Sequence, residues 1–107
     1  MSRELVKVDG STVRVGDTTT WQGAVATFIA SQDVKESSRA LYTRTLSQFF
    51  KWIESTGRAL SCLSREDVLS YKDKLQGDGL SALTIGSYIV SVRKFYEWAE
   101  AEGLYRN

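Results

Sequence analysis

At 107 residues, with 42% apolar content and fourteen basic against thirteen acidic residues, the chain has room for one domain with a modest core, and its net charge of +1 names no partner. A single cysteine, Cys62, and the absence of histidine exclude an internal disulfide, the common structural zinc arrangements and the commonest general base, so no cofactor is expected and a reducing cytoplasm is. No apolar run nears the roughly 18 residues that cross a bilayer, and Met1-Ser2-Arg3-Glu4 opens no apolar signal region, so no membrane contact is expected.

Residues 4 to 15 alternate around a turn. Val6 and Val8 precede Asp9-Gly10-Ser11, and Val13 and Val15 follow, the pattern of a small β-hairpin. Two strands alone are marginal in water, which leaves three forms open for residues 1–18: a docked hairpin, a flexible arm, or the remnant of a preceding domain. Gly16-Asp17-Thr18 reads as the joint to a main body over residues 19–107.

From Thr20 the apolar period becomes helical. Trp21, Val25, Phe28 and Ile29 predict a first helix over about 20–31, with Gly23 as its weak point. A second helix is expected over about 36–55, with Tyr42, Thr45, Leu46, Phe49, Phe50 and Ile53 inward and Gly57 ending it. Its opposite side carries Arg44, Gln48, Lys51 and Ser55 beside Arg39, Thr43 and Ser47. Between Lys35 and Arg58 stand five basic residues and only Glu36 and Glu54 as acids, room for a basic stripe.

Ser64 as N-cap, Asp67 three residues on, and Leu63 with Val68 as hydrophobic staple start a third helix that ends near Gln76-Gly77. Arg65, Glu66, Lys72, Asp73 and Lys74 read as its solvated face. Ser81, with Leu80 opposite Ile85, starts a fourth helix that runs to about Glu102 before Gly103. Ile85, Tyr88, Ile89, Val92, Phe95, Tyr96 and Ala99 make its core face. The chain stops at Leu104-Tyr105-Arg106-Asn107 without a polar tail, and truncation at a domain boundary is expected.

Two runs of residues carry a resemblance. Ser38, Tyr42, Leu46, Phe49, Phe50 and Trp52 on the second helix, and Gly79-Leu80-Ser81, Thr84-Ile85, Tyr88, Arg93, Phe95-Tyr96 and Trp98 on the fourth, resemble in order and spacing the core-binding domain of the tyrosine recombinases (phage-type integrases). The resemblance covers about residues 20–107. It departs from the family at Lys35, where a cap is usual, at Ala82, where proline is common, and at Ser87, often basic.

The resemblance implies an all-α, four-helix SAM-like core-binding bundle with a small N-terminal hairpin or arm. It also implies a role: a half-clamp on double-stranded DNA at a recombination site, working with a C-terminal catalytic domain and sister protomers in the recombination of a mobile element. The DNA-binding candidates are Ser38, Arg39, Thr43, Arg44, Lys51, Ser81, Thr84, Ser87 and Lys94. Basic side chains neutralise phosphates, and hydroxyls near helix N-termini sit where free N–H groups favour them.

Plainer roles stand beside these. Ser38, Ser81 and Thr84 are also cap or first-turn residues, Arg44 and Lys51 ordinary solvated charges, and Arg93 is placed to pair with Glu97. Trp52 and Trp98 fit packing better than base stacking. The five tyrosines fall mostly on inward faces without an Arg-rich active-site motif, so no strand cleavage is expected. A helical protein-interaction module is the alternative function, and a small carboxylate enzyme the third.

Overall fold

The Asp9-Gly10 pair decides how the described chain, residues 4–105 of the computed structural model, begins. Both residues have positive φ, 54° and 79°, as a two-residue hairpin turn of the type that follows strand twist requires. Strands β1 (Leu5–Val8) and β2 (Ser11–Arg14) pair antiparallel, with Val6 opposite Val13 and Val8 opposite Ser11. Residues alternate in burial along both strands, and Val8 is fully buried. Of the three forms left open for the N-terminal segment, the docked hairpin is the one observed, since both strands pack on helix α1 (Trp21–Ser31). The expected features at Met1–Arg3 and Arg106–Asn107 lie outside the described residues.

The chain divides into two compact units, Met1–Trp52 and Ile53–Asn107. In the first, Thr20 caps α1 by accepting from the Gly23 amide at 3.1 Å. Trp21, Val25, Phe28 and Ile29 are buried as their spacing predicts, together with Ala24 and Ala26. Helix α2 (Glu36–Thr56) packs aromatic residues against them: Trp21 stacks on Phe50 with centroids 5.4 Å apart, and Tyr42 meets Phe28 edge-on at 5.8 Å. Phe49 and Phe50 are fully buried, Tyr42 only half so.

Gly23 corrects the sequence reading. A Cβ there would lie 1.9 Å from the Asp17 carbonyl oxygen, so the glycine admits a close backbone approach and is not a weak point of the helix. The approach is braced nearby. Thr27 Oγ1 donates to the Gly23 carbonyl and accepts from the Gly16 amide, at 2.7 and 2.9 Å.

The second unit holds the end of α2, then α3 (Arg65–Gly77) and α4 (Ala82–Ala101), which pack on each other. Ser64 and Asp67 form the expected capping box, and Ser81 caps α4. Both helices end in a left-handed glycine, Gly79 and Gly103, after which Leu80 and Leu104 return their amides to Leu75 and Ala99. This closure satisfies carbonyls that a helix end leaves open. The second return brings Tyr105 to 5.9 and 5.7 Å from the Phe95 and Tyr96 rings. The predicted core face of α4 is buried throughout, with Ser91 added to it.

Two outcomes test this packing. Gly23→Ala should destabilise by about 1–3 kcal/mol through overpacking, whereas helix propensity alone predicts a gain of about 1 kcal/mol; the sign of the change in a thermal melt decides. Phe49→Ala should cost about 3–5 kcal/mol and half-buried Tyr42→Ala clearly less in urea titrations.

Candidate nucleic-acid interface

On α2 the outward residues at steps of three and four form a wall, and Thr43, Arg44, Ser47, Gln48 and Lys51 line a shallow depression of about 440 Å³ with Ala40 and Asp9. Three expected contact residues thus share one surface. Arg44 and Lys51 are exposed, and Thr43 is half-buried with its hydroxyl donating to the Arg39 carbonyl at 2.9 Å. Arg44 makes no ion pair among the described residues. Lys51 does: its Nζ lies 3.0 Å from Asp9 Oδ1 at the hairpin tip.

Arg39 and Ser38 stand apart from that depression. Arg39 is half-buried, its guanidinium 3.3 Å from the Gln32 carbonyl, and it lines a second groove with Glu4, Lys7 and Glu36. Ser38 is half-buried in the first turns of α2. Ser47 corrects the expected exposed stripe, because it is buried and its Oγ has no hydrogen-bond partner among the described residues. Its position between Phe50 and Arg44 at three-residue steps left it on the boundary of the two faces, where the periodicity is least decisive.

The basic stretch is also thinner than its sequence suggests. Arg58 belongs to the second unit, where its Nη1 donates to Asp67 Oδ1 at 2.8 Å and its Nη2 to the Ser70 hydroxyl at 3.2 Å. Asp67 is the buried acid of the capping box, its other oxygen accepting from the Ser64 amide at 2.9 Å. Burial pushes its carboxyl up, but the Ser64 amide and the Arg58 guanidinium outweigh that and hold it below the usual carboxylate range.

On α4, Ser81 Oγ accepts from the Thr84 amide at 3.2 Å and donates to Thr84 Oγ1 at 3.0 Å, so both hydroxyls serve the cap while remaining exposed. Ser87 and Lys94, seven residues apart, are exposed on one side of the helix. Arg93 and Glu97 form no ion pair among the described residues. Tyr71 and Tyr96 are buried, and burial drives both phenols up from their ordinary values; the Tyr96 hydroxyl donates to the Leu60 carbonyl at 2.7 Å. No cluster of histidine, cysteine or acidic side chains that could hold a metal ion occurs among the described residues, and no helix there is long and apolar enough to cross a membrane.

The family model described as the phage integrase N-terminal SAM-like domain matches residues 25–103. The chain belongs to that family. No curated protein and no solved structure matches it significantly. The resemblance of α2 and α4 to the integrases is therefore a true family relation, and the all-α, SAM-like class read from the sequence holds, with a hairpin preceding it. The match to this integrase domain begins at Val25, inside α1, so β1 and β2 lie outside it.

The charge on Asp67 sets a pH dependence. A depressed folded-state value stabilises the integrase domain fully above the unfolded carboxylate's ordinary 3.8, and the contribution disappears as pH falls through the folded value. Asp67→Asn should therefore lower stability by about 1–3 kcal/mol near neutrality, and the gap should close in melts taken progressively below that range.

Proposed function

We propose that this domain is the DNA-binding half of a site-specific tyrosine recombinase, clamping one half-site through α2 and α4 while a separate catalytic domain performs strand transfer. Membership of the integrase N-terminal family carries the reading. The α2 wall supports it, because Arg44 and Lys51 lie within one depression with Thr43, a cation and hydroxyl set suited to phosphodiester oxygens. On α4 the exposed Ser81, Thr84, Ser87 and Lys94 supply the second set, and on α2 Arg39 and Ser38 flank the first.

In this reading residues 19–107 are the DNA-binding domain, residues 1–18 an accessory segment, and the partners are duplex DNA, the catalytic domain and sister protomers in the cytoplasm. The chain itself performs no cleavage. Strand transfer needs an activated tyrosine among charge-stabilising groups, whereas burial shifts the Tyr71 and Tyr96 phenols upward, away from activation.

A second reading, a helical protein-interaction module, draws on the exposed Leu83 and Val90 of α4, 85% and 51% accessible, and on Leu69 of α3 at 49%. Salt separates the two. Duplex DNA should bind this chain with a dissociation constant in the micromolar range or weaker at physiological salt, about the non-specific level, and affinity should fall steeply as salt rises. Replacing Arg39, Arg44 and Lys51 together by Gln should weaken binding to all sequences and flatten the plot of log affinity against log salt by up to about three phosphate equivalents. Replacing Arg65, Lys72 and Lys74 removes equal charge from α3; equal loss in the two variants would refute α2 as a DNA-facing element.

A further inference from the structure

The hairpin tip places an acid on the surface where the α2 reading needs cations. Asp9 and Lys51, 42 residues apart, meet at 3.0 Å, and Asp9 lines the same depression as Arg44, Thr43 and Ser47. We propose that Asp9 is a built-in competitor for DNA phosphate: its carboxylate occupies the place of a phosphodiester oxygen on Lys51, so that the hairpin sets the affinity of the α2 face. The inference rests on the DNA-binding reading above and adds to it a regulatory role for a segment outside the family match.

Four observations support it. A carboxylate and a phosphodiester present similar anionic oxygens to an ammonium group, so the two exclude one another at one lysine. The tip is held in position, because both strands pack on α1 and the Gly16 amide is tied to Thr27. The pair is exposed, with 55% of the Lys51 side chain and 30% of the Asp9 side chain accessible, and such pairs contribute little to stability. Its effect therefore falls mainly on what else Lys51 can bind. Finally, the acid halves the charge of the depression, which without it holds Arg44 and Lys51 unopposed.

Asp9→Asn tests the idea cleanly. Asn tolerates the positive φ of residue 9, and Asn-Gly is a favoured pair for this turn, so the hairpin survives the loss of charge; a thermal melt checks this. Anisotropy titrations would use the whole chain and a random-sequence duplex of about 20 base pairs, across a range of salt. Asp9→Asn should raise affinity about 3–10-fold at low salt and steepen the salt slope by about 0.9, the release of one phosphate contact. Adding Lys51→Gln should cancel the gain, while Asp73→Asn on α3, which changes net charge equally, should not reproduce it. Equal gains from Asp9→Asn and Asp73→Asn, or a gain that persists without Lys51, would overturn the competitor role. Unchanged affinity in Asp9→Asn with a DNA-binding parent would also overturn it and leave the DNA reading standing; no salt-dependent binding by any variant would remove both.

Discussion

In the first unit a carbonyl oxygen occupies the space that a side chain at residue 23 would need. The Asp17 backbone passes so close to α1 that only glycine fits opposite it, and the described residues before it, from Glu4 onward, take their direction from that passage. Asp17 accepts from the Thr19 amide and hydroxyl, Thr20 caps the helix, and Thr27 links the first helical turns back to Gly16. Chain direction at residues 16 to 20 then decides where the hairpin lies. Its turn, set by two successive positive φ angles, carries Asp9 to Lys51. A local packing constraint thus reaches the charge on the face of α2.

Charge in the second unit is organised around Asp67. One carboxylate closes the α3 capping box and receives the Arg58 guanidinium, so a buried acid and a half-buried base neutralise each other where neither could stand alone. The same pairing removes Arg58 from the cations available to an external anion. With Lys51 held by Asp9, the formally basic stretch from Lys35 to Arg58 offers its charge selectively, and its exposed cations outside these ion pairs are Lys35 and Arg44.

This selectivity bears on how an integrase-family domain of nearly zero net charge would meet a polyanion. Long-range attraction from the whole domain is weak at +1, so in the proposed function short-range contacts at a few placed side chains would carry the interaction, and their number would set its salt dependence. The proposed clamp would suit such a surface, because a linked second domain would raise the effective concentration that the first lacks. The exposed apolar residues Leu83 and Val90 lie on α4 itself, so the face that supplies hydroxyls also has a nonpolar component.

The sequence by itself determined the elements. Caps at Ser64 and Ser81, glycines at 57 and 103, the Asp9-Gly10 turn and helical spacing of aromatic residues are local signals, and each sets local backbone geometry with little help from distant residues. Family membership was legible for the same reason, as two helical patterns at fixed spacing. What the tertiary structure decided was the fate of residues whose partners are remote or whose position lies between two faces. Gly23 looked like a defect until Asp17 came beside it, Ser47 lay at the boundary of the buried stripe, and Arg58 and Lys51 read as free cations until Asp67 and Asp9 met them. Periodicity reports which side of a helix is apolar, but an ion pair across 42 residues depends on where two elements come to rest, and no local pattern encodes that distance.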